Sequence, residues 1–198
     1  PVAFPPARAR VTEEQAMIEL HDVVKRYGQR NAVDHATFAV PEGTSLALWG
    51  SNGAGKTTLI RCILGVTGYD GDIRIDGVSS RRNGKEARKR LGYVPQSMPT
   101  FDVSVAEMVH LVARLRHADP RAGLERLQEF GLGHTLGQPV SSLSGGMKQK
   151  LALTLALLGD PPILLLDEPT ANLDARSQSE LIASLVELKH QGRTVVFT

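Results

Sequence analysis

The feature that most constrains this chain is the run Gly50-Ser51-Asn52-Gly53-Ala54-Gly55-Lys56-Thr57, which fits the pattern G-x-x-x-x-G-K-[ST]. It follows the apolar segment 45–49, which is typical of a buried parallel strand, and it precedes apolar residues at helical spacing in 57–64. A glycine-rich turn between a strand and a helix aims several backbone N–H groups at one point, where an anion can bind. The run therefore predicts a phosphate-binding loop in an α/β fold.

The residue types of this loop indicate a nucleoside triphosphate as the ligand. Lys56 would bridge the outer phosphates, the Thr57 hydroxyl would bind Mg²⁺, and Thr58 adds a second hydroxyl nearby. A chance match to this pattern is expected in about one per cent of chains of this length, so a merely flexible glycine loop is disfavoured. Guanine is also disfavoured, because no Asn-Lys-x-Asp element occurs in the sequence.

An acidic pair follows a second apolar strand. Residues 163–166 read Ile-Leu-Leu-Leu and are followed directly by Asp167 and Glu168. A carboxylate at the carboxyl end of a buried strand lies beside the phosphate site of such folds, so Asp167 would hold Mg²⁺ directly or through water. Glu168 would then polarise the attacking water as a general base. The alternative is that two acidic residues simply end a strand before Pro169, but the phosphate loop favours the catalytic interpretation.

The rest of the chain alternates between strand and helix patterns. Alternating apolar residues in 17–40 predict two strands separated by the polar stretch 25–31, and short strands are expected near 72–76 and 91–94. A capping box at Ser104–Glu107 starts a helix with an apolar stripe (Val105, Met108, Leu111, Val112, Leu115), and Asp119-Pro120 starts another. These helices indicate a helical insert at 97–142 within an α/β core of 17–96 and 143–198. Residues 1–16 are predicted to form a loose arm or leader, because they carry no apolar signal region.

The end of the chain continues the α/β pattern. A helix is predicted from Gly145 to Leu158, and a further helix is predicted over the apolar residues at positions 181, 182, 185, 186 and 188. A last strand is predicted at 194–197.

Composition excludes several classes of protein. Hydrophobic residues make up 41% and charged residues 22%, as in ordinary soluble domains, and the longest apolar run, 151–158, is far shorter than a membrane span. The net charge is only +2, and the basic stretch 81–90 has no interleaved aromatics, so a solvated face is favoured over nucleic-acid binding. Cys62 is the one cysteine, which excludes an internal disulfide, and it is predicted to be a small buried hydrophobe.

Residues 143–150, Leu-Ser-Gly-Gly-Met-Lys-Gln-Lys, resemble the signature of ABC ATPases. Ser144, Gly145 and Gly146 would present a hydroxyl and backbone N–H groups to a phosphate. Because the chain already has a phosphate loop, a second grip is best explained by a second subunit, each signature completing the site of the other chain. An ordinary serine N-cap followed by glycines would be preferred if this motif stood alone.

Other motifs support the resemblance, which covers about residues 17–198. Gln96 in Tyr-Val-Pro-Gln is similar to the Q-loop glutamine that senses Mg²⁺ and the attacking water, and 171–174 resembles the D-loop that crosses the dimer interface. Tyr27 is placed like the aromatic residue that stacks on adenine, with a surface tyrosine as the alternative. The fold that the resemblance implies is a P-loop NTPase core with a parallel sheet, an antiparallel β subdomain and a small α-helical subdomain.

The function that the resemblance implies is MgATP binding and hydrolysis for an ABC membrane transporter, in a head-to-tail dimer. The permease partner would hold the chain on the cytoplasmic face of the membrane, with no direct insertion, and the second ATPase would be another copy or a homologous subunit. Glu168, Gln96 and Lys56 are the expected catalytic residues, and Thr57, Gln96 and Asp167 the expected metal site. The expected ATP-binding residues are Tyr27, Gly50, Ser51, Asn52, Gly53, Ala54, Gly55, Lys56, Thr57 and Thr58, with Ser144, Gly145 and Gly146 acting on the partner's nucleotide.

Two departures from the family pattern affect the prediction. Met147 stands where glutamine is commonest, and similar exporters of the drug-resistance and copper-processing branch carry Met, which favours export. The switch histidine is expected just beyond a strand like 194–197, and His190 cannot replace it because it precedes that strand, where contact with a helix dipole is an adequate role. These 198 residues alone are therefore expected to bind nucleotide but to hydrolyse it weakly.

Two rival functions come from other classes. A soluble ABC protein of translation or DNA repair would need a second cassette or a long coiled-coil insert, and neither is visible between Gln96 and Leu143. A non-hydrolysing nucleotide-binding module would be expected to lack Glu168, which is present.

Overall fold

The computed structural model describes residues 16–99, 102–171 and 173–198. The predicted loose arm lies outside the described residues except for Ala16, which is the first residue of a strand. In chain order the elements are β1 (Ala16–Tyr27), β2 (Arg30–Pro41), β3 (Ser45–Ala47), α1 (Lys56–Ile63), β4 (Asp70–Ile75), β5 (Val78–Ser79), α2 (Gly84–Lys89), β6 (Leu91–Val94), α3 (Val105–Arg116), α4 (Pro120–Glu129), α5 (Gly145–Leu157), β7 (Ile163–Leu166), α6 (Ala175–His190) and β8 (Thr194–Phe197).

An antiparallel sheet with the strand order β2-β1-β4-β5 forms the first layer. Its two long strands make a hairpin that pairs as far as Tyr27 with Arg30. The prediction that 25–31 separates the strands is therefore wrong. Strand pairing is made by backbone hydrogen bonds, so two antiparallel strands can continue through polar residues when one face of the pair is in water. The short elements β5 and α2 were not predicted, because two and six residues are too few for a periodic pattern.

A parallel sheet with the order β3-β8-β7-β6 lies behind the first. The central strand β7 alternates strictly: Ile163 and Leu165 belong to one apolar cluster, and Leu164 and Leu166 belong to another. Helices cover both faces of such a strand, which explains why its sequence is continuously apolar. The predicted α/β fold with one parallel and one antiparallel sheet is confirmed.

Helix α1 packs between the two sheets. Its residues Leu59, Ile60 and Ile63 are fully buried in the cluster that also contains Ile18 of β1 and Ile163 of β7. On the other face of the parallel sheet, α5 and α6 contribute to the second cluster. The start of α1, where the glycine-rich loop ends, is thereby held against both sheets.

The strand before the glycine-rich loop is less buried than predicted. β3 ends at Ala47, and among the described strands it pairs only with β8, so it is an edge strand. Leu48 is buried, whereas Trp49 is 82% exposed. An apolar run does not tell on which side a strand has neighbours, so the predicted burial of 45–49 is wrong for most of that segment.

The two helices of the predicted insert begin as predicted. Ser104 and Glu107 form the full capping box of α3, and Asp119 caps α4 with Pro120 in the first helical position. Leu127 of α4 packs in a third cluster with Leu151 of α5, which joins the insert to the core.

The buried face of α3 differs in part from the predicted one. Leu111 and Leu115 are 49% and 72% exposed, while Val109 and Ala113 are buried. The helix has more apolar residues than its neighbours cover, so spacing alone selected a face that is rotated from the packed one. The helix predicted over 181–188 is confirmed as part of α6, in which Leu181 and Leu188 are buried and Ile182 and Val186 are about half exposed.

No helix in the described part of the chain is long and apolar enough to span a bilayer.

Cys62 tests the burial of α1 directly. Its side chain is fully buried, and burial raises the pKa of the thiol to about 11. The thiolate is the reactive form and would make up roughly one part in a thousand at pH 8. We expect a chromogenic disulfide reagent to label the native protein at least about a hundredfold more slowly than the protein unfolded in urea. Equal rates would contradict the packing of α1 between the sheets.

Candidate functional site

The glycine-rich loop is shaped by its contact with the antiparallel sheet. Gly55 caps the start of α1 with φ 104°, a backbone conformation that favours glycine. A Cβ atom at Gly55 would lie 1.9 Å from the carbonyl oxygen of Ala32 in β2. Glycine is therefore required at this position for two separate reasons, and β2 fixes the position of the loop.

The Lys56 ammonium is held inside the loop. Its Nζ donates hydrogen bonds to the carbonyl oxygens of Gly50 at 2.9 Å and Ser51 at 3.2 Å, and it lies 3.9 Å from Oε1 of Glu168. The side chain is only 10% exposed. The Lys56 ammonium neutralises the Glu168 carboxylate and faces the space beside the glycine-rich loop.

A hydroxyl and a carboxylate meet where α1 begins and β7 ends. Thr57 Oγ1 donates a hydrogen bond of 2.8 Å to Asp167 Oδ1, and Asp167 is 2% exposed. Hydroxyl and carboxylate oxygens are the ligands that Mg²⁺ prefers, so this pair fits the metal that the sequence predicts. Within the described ranges no group of three His, Cys, Asp or Glu residues could hold a metal, so any metal here has few protein ligands.

Thr198 supports the acidic pair and was missed by the sequence analysis. Its Oγ1 accepts a hydrogen bond of 2.7 Å from the Glu168 backbone N–H and donates one of 3.3 Å to Asp167 Oδ1. Nothing in a lone threonine after a strand signals this role. Only the pairing of β8 beside β7 brings the three residues together.

Glu168 stands between two of the predicted catalytic residues. Gln96 Nε2 donates a hydrogen bond of 2.7 Å to Glu168 Oε2, while Lys56 lies near the other carboxylate oxygen. Glu168 has φ 43°, which is uncommon for a residue other than Gly, Asn, Asp or His. The structure thus brings together three residues that are distant in the sequence.

A cavity of about 320 Å³ opens above these groups. Its lining includes Tyr27, Lys56, Thr57, Thr58 and Glu168, together with two glycines of the loop. Tyr27 is 52% exposed at the rim, with the Lys25 ammonium 4.9 Å from the ring centre. The volume lies within the range of small-ligand sites, which is about 300–1,000 Å³.

Arg30 also lines this cavity and was not predicted. Its Nη2 donates a hydrogen bond of 3.1 Å to the carbonyl oxygen of Gly53 in the loop. The hairpin between β1 and β2 carries the guanidinium to the loop, and sequence spacing does not reveal that proximity. Arg30 therefore adds a second cation to the cavity.

The residues of the signature lie elsewhere. Ser144 caps α5, accepting a hydrogen bond of 3.3 Å from the Met147 N–H, and a Cβ at Gly146 would lie 2.5 Å from Ser177 Oγ in α6. Across the described ranges, no hydrogen bond or ion pair joins 144–146 to the loop. The structure of one chain thus does not bring the signature to its own cavity.

The segment that resembles the D-loop leads directly into α6. Asp174 caps this helix, and hydrogen bonds from the backbone and side chain of Ser177 lower the pKa of its carboxyl group. Asn172 of the segment lies outside the described residues.

Comparison with known proteins relates this chain to a family. The sequence pattern described as ABC transporter matches residues 33–171. Nod factor export ATP-binding protein I of Paraburkholderia xenovorans (strain LB400) is 39% identical over 190 residues, which cover 93% of this chain and 62% of that protein. The zinc import ATP-binding protein ZnuC of Pseudomonas fluorescens (strain Pf0-1) is 38% identical, covering 88% of this chain and 63% of the protein. The chain thus spans about three fifths of the length of these two relatives.

A solved structure gives the same answer for the fold. The protein described as an ATP binding subunit of an ABC transporter superposes with a TM-score of 0.82 at 30% identity, covering 92% of this chain and 79% of that one. The matched range contains the glycine-rich loop, Gln96, the 143–150 motif and the acidic pair. With a pattern that covers well over half of its residues, the chain belongs to the ABC transporter family.

Proposed function

We propose that this chain binds MgATP and hydrolyses it to ADP and phosphate as the ATPase subunit of a membrane transporter. The observation that carries the proposal is the set of contacts below the cavity: Thr57 bonded to Asp167, and Glu168 held between Lys56 and Gln96. Lys56, Thr57 and Glu168 line the cavity, and Asp167 and Gln96 are hydrogen-bonded to that lining. The set supplies an anion site, a pair of metal ligands and a candidate base.

The phosphate end of ATP would lie on the loop. The backbone N–H groups at the start of α1 and the Lys56 ammonium provide the positive potential. Lys56 now bonds to the Gly50 and Ser51 carbonyls, so it would exchange those bonds for phosphate oxygens without leaving the loop. Mg²⁺ on the oxygens of Thr57 and Asp167, with Gln96 nearby, would neutralise charge that develops on the phosphates.

Glu168 would act on the attacking water. Its carboxylate accepts the proton as the water oxygen bonds to the γ-phosphorus and the bond to the ADP oxygen breaks. The Gln96 amide that now binds Oε2 would orient the same carboxylate and water. Such a positioned base contributes typically 10² to 10⁴ in rate.

The adenine would stack on Tyr27. The ring is half exposed at the rim of the cavity, and a cation above one face leaves the other face for a base. Stacking on an exposed aromatic ring does not discriminate strongly between bases, so adenine preference rests on the family resemblance.

A second ATPase subunit would complete each site. Ser144, Gly145 and Gly146 lie at the exposed start of α5 and away from the chain's own cavity, which supports a role in trans. Two chains arranged head to tail would enclose two nucleotides, each between the loop of one chain and the 143–150 motif of the other.

A permease partner would hold the subunit on the cytoplasmic face of the membrane. The solved relative is described as an ATP binding subunit, which supports a separate transmembrane partner. Met147 favours export, whereas the names of the two relatives include one export and one import protein and favour neither direction.

Replacing Glu168 tests hydrolysis. Glu168→Gln keeps the shape of the side chain but cannot accept a proton, so phosphate release at saturating MgATP should fall by about 10² to 10⁴. ATP should bind as well as before or better, because a carboxylate that repels phosphate is gone. Lys56→Ala, in contrast, should lose binding. Turnover that survives in Glu168→Gln would contradict the assigned base and leave the binding site intact.

Replacing Arg30 tests whether the hairpin between β1 and β2 contacts the nucleotide. Arg30→Gln should raise the Kd for MgATP by about fivefold, as expected for one exposed cation near phosphate. Arg26→Gln is the matched control, because Arg26 lies in the same hairpin but bonds to Asn31 outside the cavity. A fluorescent ATP analogue measures both. If both variants raised the Kd equally, the loss of net charge would explain the effect and a contact of Arg30 with the nucleotide would be contradicted.

Replacing Ser144 tests the role in trans. Ser144→Arg puts bulk and charge where the partner's phosphate would lie, so light scattering should show no MgATP-dependent dimer while the monomer still binds nucleotide. Ser144→Ala removes the helix cap, which costs about 1 kcal/mol, together with the hydroxyl, but it adds neither bulk nor charge, so it should still form the dimer at higher MgATP. The outcome against the proposal is a normal ATP-dependent dimer of Ser144→Arg.

A further inference from the structure

A second cavity lies at the opposite end of α1 from the phosphate loop. It has a volume of about 400 Å³ and is lined by 65–69 and by residues from 80 to 88, three of which are the cations Arg81, Lys85 and Arg88. No carboxylate is among the lining residues. The cavity shares no lining residue with the one above the phosphate loop.

The three cations have no acidic partners in the described part of the chain. Six of the ten residues at 81–90 are Lys or Arg, and Glu86 is the one acidic residue among them. Glu86 pairs with Lys89 and Arg90, and Arg90 also pairs with Asp76. These pairs neutralise Lys89 and Arg90, which do not line the cavity, and leave Arg81, Lys85 and Arg88 without a carboxylate. Arg82 does not line the cavity and also has no carboxylate partner among the described residues.

The wall of the cavity is ordered by contacts among its own residues. The Arg81 guanidinium donates a hydrogen bond to the Tyr69 carbonyl oxygen and lies 4.8 Å from the centre of the Tyr69 ring. The Tyr69 hydroxyl and Ser80 Oγ are 2.6 Å apart, and Ser80 is only 3% exposed. Burial raises the pKa of Tyr69, so its hydroxyl stays protonated beside Ser80. Groups fixed in advance lose less entropy when a ligand binds.

Glycines make room for the third cation. The Arg88 Nη1 atom would lie 2.9 Å from a Cβ at Gly84 and 3.6 Å from one at Gly65. The guanidinium thus passes over two residues without side chains and reaches the cavity. A larger residue at Gly84 would displace it.

The cations are not needed to complete the end of α1. The backbone N–H groups of Leu64, Gly65 and Val66 already donate to carbonyl oxygens in the last turn, at 2.9, 2.9 and 3.1 Å. Helix capping therefore does not account for three cations at this place.

We infer that this cavity binds a phosphomonoester, a ligand with a doubly charged phosphate group and room for a small attached group. Two guanidinium groups and an ammonium without acidic partners match phosphate oxygens in charge and in hydrogen-bonding geometry. The volume exceeds what a single inorganic phosphate would fill and lies within the range of small-ligand sites. The phosphate can come from a soluble metabolite or from a lipid headgroup. The inference does not depend on the proposed ATPase activity.

The test uses two probes with the same phosphate chemistry. Glycerol 3-phosphate represents the soluble source, and phosphatidylcholine vesicles with and without phosphatidic acid represent the lipid source. The phosphate loop is kept saturated with MgADP, at about 0.15 M salt, so that distant charges are screened. Amide chemical shifts of Gly65, Gly68 and Lys85 report the soluble probe, and co-sedimentation reports the vesicles.

Three variants separate this site from general attraction to a basic surface. Lys85→Gln and Arg88→Gln should each weaken binding about fivefold, as expected for one exposed charge contact. Arg82→Gln removes the same charge from a neighbouring residue that does not line the cavity, and it should change binding less than twofold. Among the described residues the exposed Lys85 side chain has no hydrogen bond or ion pair, so its variant should fold normally.

Each outcome decides the inference. Shifts in the cavity amides with glycerol 3-phosphate, weakened by Lys85→Gln, would support a soluble ligand. Binding only to phosphatidic acid vesicles, with the same order of the variants, would support a lipid headgroup. If neither probe binds, or if Arg82→Gln weakens binding as much as the other two variants, the cavity is not a phosphate site.

Discussion

The hydrogen bond between Thr57 and Asp167 is the contact on which the site depends. It joins the first turn of α1 to the end of β7, two elements that are 110 residues apart in the chain. Packing holds both elements in place, because α1 is buried between the sheets and β7 is an inner strand with apolar neighbours on both faces. Asp167 is almost fully buried, so it needs this partner and Thr198 to offset the cost of leaving water.

Unusual backbone conformations and the hydrogen bonds that hold them occur together at this site. Gly55 and Glu168 both have positive φ, and the second carries a side chain. A non-glycine residue in this region costs about 1–3 kcal/mol and persists only where its surroundings hold it. Here the Thr198 hydroxyl binds the Glu168 N–H while Gln96 and Lys56 hold the carboxylate, so the backbone and the side chain are both fixed. This directs the carboxylate towards the loop.

Sequence reasoning identified the residues whose chemistry depends on local pattern. The loop, the acidic pair and the caps at Ser104 and Asp119 are short-range features with a physical signature, and the described structure forms a loop and caps there. It failed for features that depend on residues far away in the sequence. The edge position of β3 and the contact of Arg30 with the loop depend on which strand lies alongside. The cationic cavity escaped for the same reason, since 81–90 looks solvated until it folds over 65–69.

Glu168 also connects the cavity above the loop with the helices that follow β6. Gln96, which binds its carboxylate, is in the segment that leads from β6 towards α3. Two residues further on, Met98 packs against both the cluster under β7 and the cluster inside the insert. Under the proposed function, a nucleotide that drew Glu168 or Gln96 into new contacts would shift this segment or break the hydrogen bond between the two side chains, and packed interiors respond to such a shift as a unit. The hydrogen bond and the packing of Met98 thus give a physical route by which the nucleotide would act on the helices after β6.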